Sequence, residues 1–283
     1  MNQAAAKHIV DNLYRKLESI AQKKAHHFKI EDIHEFRVTY KKLRAFFRLA
    51  SQQQEKEKQI GFSKKIKNCY HVLGNIRDLQ LQQKRVSTLP LSDGQKPLSY
   101  LDLVKKEIVK HKSDLHKLDI EKSLVKSRKK TNAYMPKNFS PDAYGNFVQK
   151  KWDDIDAIIL SENFSDDNIH TIRKDLKDLF YTRKLYTGVE AGRSSHDLAN
   201  LKDKKYFDQF LTELGEYQDW CRAIELIKRS LNNKLIQNEQ TLLEQVKKRW
   251  IREKSILKRK LINKIKIAIA ASKEDPGKTA RLT

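Results

Sequence analysis

Ile33 to Leu49 reads IHEFRVTYKKLRAFFRL, and Ile169 to Leu185 reads IHTIRKDLKDLFYTRKL. In the first stretch His34, Arg37, Lys41, Arg44 and Arg48 follow one another at steps of three, four, three and four. On an α-helix those steps return to one narrow face, so the five residues form a line. From Arg37 to Arg48 the line extends about 16 Å at the helical rise of 1.5 Å per residue. The apolar set Phe36, Val38, Tyr40, Leu43, Phe46, Phe47 and Leu49 occupies other angles, which leaves a buried side and a cationic side. Like charges one turn apart repel and disfavour the helix, and no glutamate stands in this register to relieve them. An anionic partner would remove the penalty. Arginine can grip two phosphate oxygens at once, and lysine adds a compact point charge.

The second stretch repeats the opening of the first. His170, Arg173 and Lys177 stand at the same offsets, 136 residues later, Lys184 completes the register and Phe180 interrupts it. A second echo follows each histidine, LGNIRD from Leu73 to Asp78 and LGEYQD from Leu214 to Asp219. A two-part motif in the same order twice indicates duplication of a whole structural unit. Gly74 and Gly215, each inside a helical pattern, lower stability by about 1 kcal/mol relative to alanine, which points to close packing against another helix. Asp78 and Asp219 read as partners in structural ion pairs rather than as catalytic groups. Lys64 and Lys205, each ten residues before its glycine, are expected to border the same channel as the stripes.

Across the 283 residues Lys and Arg number 59 against 36 Asp and Glu, a net charge of +23. Such an excess attracts polyanions at long range, so nucleic acid, a phosphate polymer or an anionic membrane surface are the natural partners. With 8 Gly, 5 Pro and apolar residues spaced by three and four, the chain reads as helical throughout. Cys69 and Cys221 stand alone, without CxxC or Cys/His clusters, which argues against a disulfide framework or a zinc site. No apolar signal core and no run of about 18 apolar residues is present, and the expected location is the cytoplasm.

Periodicity predicts helices over about 3–25, 33–53 and 63–87, with Asp32 capping the second. A fourth runs over about 98–117 and reaches towards Val125. The stretch of about 127–144, with Pro136, Pro141 and a basic triplet, reads as the connection between repeat 1 (about 1–126) and repeat 2 (about 145–271). The second unit follows the same plan: helices over about 145–160, from a cap at Asp166 or Asp167, over about 197–232 and over about 240–271. A disordered tail is expected at about 272–283. The cations Lys247 to Lys260 surround the last helix rather than lining it, as a solvated face does.

His34, Arg37, Lys41, Leu43 and Arg44, with the later LG and Asp and the recurrence of the whole set, resemble the CHAD family, the conserved histidine α-helical domain. In the second copy His170, Arg173, Lys177 and Leu179 carry the pattern, while Phe180 replaces the expected arginine and Asp178 adds an acid. The resemblance covers essentially the whole chain as a single domain. It implies an all-α fold of two pseudo-symmetric four-helix bundles with a basic surface or central channel between them. It also implies binding of inorganic polyphosphate, with localisation to polyphosphate granules in some members. The family is often fused to a triphosphatase-like tunnel domain, whose ExExK signature is not found here, so the stand-alone form is expected. The polyphosphate-binding residues implied are His34, Arg37, Lys41, Arg44, Arg48, Lys64, His170, Arg173, Lys177, Lys184 and Lys205, with no cofactor, no metal and no catalysis. RNA or DNA binding is the alternative partner reading. A third is a metal- or histidine-dependent phosphate-transfer enzyme, for which no HExxH spacing or nucleophile–base pair is found.

Overall fold

A computed structural model describes residues 1–23, 28–54, 59–89, 96–186, 204–232 and 235–273, with helix residues 184–186, 204–206 and 268–273 described by backbone alone. The elements are α1 (Gln3–Ala21), α2 (Ile30–Ala50) with a 3-10 turn (Ser51–Gln53), α3 (Lys64–Ser87), α4 (Leu98–His116), α5 (Ile120–Ala133), α6 (Pro141–Leu160), α7 (Asp166–Tyr186), α8 (Lys204–Leu231) and α9 (Gln237–Lys273). The protein is all-α. The tail expected at about 272–283 lies, from residue 274, outside the described residues, as does the expected helical stretch 197–203.

Four helices meet at the centre: α2 packs on α3 and α7, and α8 packs on α3 and α7. Each of the four carries a copy of one of the two sequence motifs. Four of the remaining helices flank this quartet in the same order on both sides, and α5 packs on α1 and α3. α1 lies on α2 and α4 on α3; likewise α6 lies on α7 and α9 on α8. One continuous apolar core runs through both halves, from Tyr14, Phe36 and Leu73 to Leu214, Trp250 and Leu261.

Helix starts differ from the expected ones for local reasons. Asp32 is not the cap of α2 but its third residue, and its Oδ2 accepts the Lys29 N–H from one turn back at 3.0 Å. In α7 the cap is Ser165, whose Oγ accepts the Asn168 N–H at 3.1 Å, and Asp166 is the first helical residue. His34 and His170 are therefore each the fifth residue of their helix, in its second turn.

The expected connection at 127–144 is largely helical. α5 is a separate helix that continues to Ala133, and the irregular segment covers only residues 134–140. Ser127 and Thr131, small polar residues of that stretch, lie on the buried face of α5 beside Ile120 and Leu124. Ser127 and Thr131 share hydrogen bonds with the Tyr14 hydroxyl at 2.8 and 3.1 Å. Pro141 starts α6 instead of breaking it, because a first-turn position needs no N–H donor and Ser140 supplies the cap. Among the described residues the first half thus holds five helices rather than four. α4 ends at His116, and the turn at Leu118–Asp119 lets Leu115 and Ile120 both face the core.

Candidate functional site: a cationic seam between α2 and α7

Because α2 and α7 lie side by side, the two stripes share one seam. Lys41 stands at its centre, part-buried, with Arg37 and Arg44 on its own helix and Arg173 and Lys177 facing it from α7. Burial and then these four cations pull the Lys41 ammonium down to about 7 from its ordinary 10.5. Burial and the Arg173 charge also lower Lys177. Among the described residues none of Arg37, Lys41, Arg44, Arg173 and Lys177 forms an ion pair. The Nε of Arg44 and of Arg173 are buried without a hydrogen-bond partner. Five cations held together, none of them ion-paired among the described residues and two with idle donors, make the seam a region of positive potential, against which Asp78, Asp208 and Asp219 act as the nearby carboxylates.

The seam has a wall on α3. Arg37 Nη1 donates to the Tyr70 carbonyl at 3.3 Å, and its Cζ lies 4.8 Å over the Tyr70 ring. Arg44 sits over the rings of Tyr40 and Tyr70 at 5.9 and 5.8 Å. Tyr70 in turn stacks on Tyr40 at 4.0 Å, and Tyr40 stacks on Phe62 at 4.2 Å. Burial pushes the Tyr40 hydroxyl up to about 12, so that hydroxyl stays neutral at physiological pH. A Cβ at Gly74 would overlap Arg37 Nη1 and lie 3.3 Å from Cζ. Gly74 therefore makes room for an arginine of the stripe, where close helix packing was expected.

The histidines flank the cluster. Burial, then the Arg77, Lys41 and Arg37 charges, lower His34 below its ordinary value. Burial, Lys174 and Arg173 do the same to His170, against a hydrogen bond with Gln218. Arg77 and Gln218 are the same position of the LG motif, 141 residues apart, so in both copies this position meets the histidine. The Nδ1 of His170 is buried without a partner.

The aspartates close the α3–α8 junction. Arg222 Nε bonds Asp78 Oδ2 at 3.1 Å, and Arg85 Nη1 donates to the Asp219 carbonyl at 3.3 Å while its Cζ lies 4.4 Å over Trp220. Burial raises both carboxyls against the pull of Arg37 and Arg222 on Asp78, and of Arg85 and Arg173 on Asp219.

Arg48 is placed differently from the rest of its stripe: it is ion-paired with the buried Asp178 of α7. Lys151 of α6 lies 3.8 Å from Asp178 and 2.5 Å from Asp175. Lys64 is exposed at the first residue of α3, about two turns before Tyr70. The side chains of Lys184 and Lys205 lie outside the described residues. Several of the cations of α9 serve the fold. Lys254 and Lys258 pair with Asp166 at 2.6 and 3.1 Å, and Lys264 pairs with Glu213 at 2.6 Å. Tyr40, Tyr70, Gly74, Arg77 and Tyr181 belong to the seam but were not among the expected binding residues. For Tyr70, Gly74 and Arg77 the signal is the three-and-four spacing of α3.

The family model for the CHAD domain matches residues 8–228. The chain belongs to the CHAD domain family. The crystal structure of the CHAD domain from the plant Ricinus communis is similar over 96% of this chain and 92% of that one, with a TM-score of 0.71 at 17% identity. That likeness is one of fold. No curated protein matches the chain. Among the described residues no group of three or more His, Cys, Asp or Glu is placed to hold a metal ion, and no helix is long and apolar enough to cross a membrane.

Proposed function

We propose that this CHAD domain binds inorganic polyphosphate, without catalysis, along the seam between α2 and α7. The observation that carries the reading is Lys41 ringed by Arg37, Arg44, Arg173 and Lys177 from two helices, with no ion pair among them. A flexible chain with one negative charge per phosphate matches such a line of cations. Binding is chiefly electrostatic, and counterion release adds affinity that declines as salt rises, as it does for nucleic acids. The contacts are Arg37, Lys41, Arg44, Arg173 and Lys177, with His34 and His170 donating hydrogen bonds at the flanks and Lys64 extending the path; Lys184 and Lys205 belong to the expected set on sequence alone. Arg48 contributes only where the anion displaces Asp178. The expected setting is the cytoplasm, at polyphosphate granules, where the free thiols of Cys69 and Cys221 stay reduced.

The arrangement of the aromatic rings favours polyphosphate over RNA. Bases bind basic surfaces by stacking on exposed rings. Here Tyr70 is stacked on Tyr40 and covered by Arg37, while Tyr40 and Tyr181 are buried. Calorimetric titration with polyphosphates of graded length at two salt concentrations tests the assignment, with single-stranded RNA as competitor. Tight, salt-sensitive binding that RNA displaces only weakly is the expected outcome. RNA binding as tight as polyphosphate would overturn it, and chain shortening in the presence of divalent metal would overturn the non-catalytic part.

A further inference from the structure

We propose that Tyr70 and Gly74 form a seat on α3 that holds the Arg37 guanidinium in place for the ligand, which makes Gly74 a positioning residue of the binding site. The inference rests on the polyphosphate reading above and adds to it the means by which the seam is organised before the anion arrives.

Tyr70, Gly74 and Asp78 are separated by four and four, so they lie along one face of α3. Arg37 lies against that face. Its Nη1 reaches the Tyr70 carbonyl at 3.3 Å, its Cζ lies 4.8 Å over the Tyr70 ring, and its charge acts on Asp78. The Tyr70 carbonyl sits inside an unbroken helix, where the N–H four residues on, that of Gly74, takes one lone pair. Arg37 uses the second lone pair. A side chain at position 74 would stand over that carbonyl: its Cβ would overlap Nη1. The overlapping atom is the free end of a long side chain, so the backbone has no need to move. The guanidinium would be expelled and α3 would stay.

The benefit of such a seat is preorganisation. A long arginine that is free on a helix surface loses rotamer freedom when it grips an anion, whereas one already held does not. Glycine is a poor helix former in the middle of a 24-residue helix. Helix stability alone therefore favours alanine at position 74, and the seat is what glycine supplies. The second copy is an internal control. A Cβ at Gly215 would lie 3.5 Å from Arg173 Nη2 and 3.8 Å from Nε, which is ordinary contact.

The test titrates polyphosphate into wild type, Gly74→Ala, Gly215→Ala, Tyr70→Leu, Arg37→Ala and the double variant Gly74→Ala/Arg37→Ala, and melts each protein. Gly74→Ala is expected to melt no lower than wild type and to bind about tenfold more weakly, the scale of one charge-assisted contact. Tyr70→Leu is expected to lose a similar factor, and Gly215→Ala to stay within about twofold of wild type. In the Arg37→Ala background the Gly74→Ala change is expected to add nothing, because the two act as one unit. A folded Gly74→Ala that binds like wild type overturns the proposal, as does a Gly74→Ala loss that persists undiminished without Arg37. Should Gly74→Ala fail to fold, the same cycle between Tyr70→Leu and Arg37→Ala decides the matter. Wild type that ignores polyphosphate would sink the functional reading and this inference together, whereas wild-type binding with an inert seat sinks this inference alone.

Discussion

The two copies of the stripe use one plan with unequal chemistry. On α2, Arg37 rests on Tyr70 and in the notch at Gly74, and Arg44 lies over Tyr40 and Tyr70. On α7, Arg173 stands by Gly215, but Leu211 occupies the position of Tyr70, and Phe180 occupies the position of Arg44. Phe180 packs near Tyr181 and Phe207 at 5.8 and 5.9 Å, so a cation of the first copy has become an apolar contact in the second. The acid Asp178, absent from the first copy, reaches across to Arg48. The first copy presents charge, and the second supports it while contributing Arg173 and Lys177.

The largest effect should follow from inverting the first copy. Charge reversal of Arg37, Lys41 and Arg44 together is expected to abolish polyphosphate binding and leave the helical spectrum intact, since among the described residues none of the three forms an ion pair. Reversal of Arg173 and Lys177 is expected to weaken binding by about a hundredfold, two contacts at about tenfold each, and not to abolish it. Equal losses in the two variants would dissolve the asymmetry.

Next comes stability. Asp178 is 3% exposed and holds Arg48 from across the α2–α7 seam, with Lys151 3.8 Å away. Asp178→Asn leaves Arg48 without its counter-charge, while Lys151 keeps Asp175 at 2.5 Å. Because Arg48 is 40% exposed and can turn to water, the loss is expected to be about 2 kcal/mol, below the range for a fully buried pair. Chemical denaturation measures it, and a loss under about 0.5 kcal/mol would class the bridge with ordinary surface pairs.

The pH dependence should be set by Lys41. Its ammonium is held down to about 7 in the folded protein, against 10.5 ordinarily. Between those values the unfolded chain binds a proton that the native one lacks, so the stability of the free protein rises with pH across that window. A bound anion reverses the balance by favouring the charged form. Binding above pH 7 therefore takes up a proton, and affinity falls with rising pH by up to about tenfold per unit. Arg37 and Arg44 on α2, Arg173 and Lys177 on α7 and Asp219 on α8 are the charges acting with Lys41. His34 and His170 are lowered from 6.5 and lose their charge before this window opens. Titration in buffers of different ionisation enthalpy counts the proton, and Lys41→Arg should remove both the uptake and the slope.

Much of the helical content and the composition of the stripe was legible because three-and-four spacing is a property of one helix. What lies opposite a helix is not. Nothing in the spacing of His34 to Arg48 sets the distance to Lys177, and the assignment of Arg48 to the ligand failed to foresee Asp178 for the same reason. Gly74 was legible as a place needing room, but its occupant, Arg37, comes from another helix. The later turns of α5 escaped notice because their buried residues are Ser127 and Thr131, which look like linker residues until Tyr14 is placed against them. The recurrence of Arg three residues after the histidine and Gly in the later motif, in both copies, was the available sign that the two belong together.

The finest test of the comparison restores what the second copy lacks. Phe180 is part-buried, so an arginine there can keep its stem against Phe207 and lift its head towards Lys177. The new cation would enter a seam already rich in charge, and its repulsion from Lys177 lowers the stability of the free protein. The same repulsion vanishes when polyphosphate binds, so the free energy withheld from folding appears as affinity. Phe180→Arg is therefore expected to lower the melting temperature by a few degrees and to tighten polyphosphate binding about threefold, with a steeper salt slope. An unchanged salt slope would mean that the α7 side of the seam stops at Lys177. Weaker binding would mean that the packing of Phe180 on Tyr181 and Phe207 holds the cations of α7 in place, and that the aromatic contact of the second copy is itself part of the site.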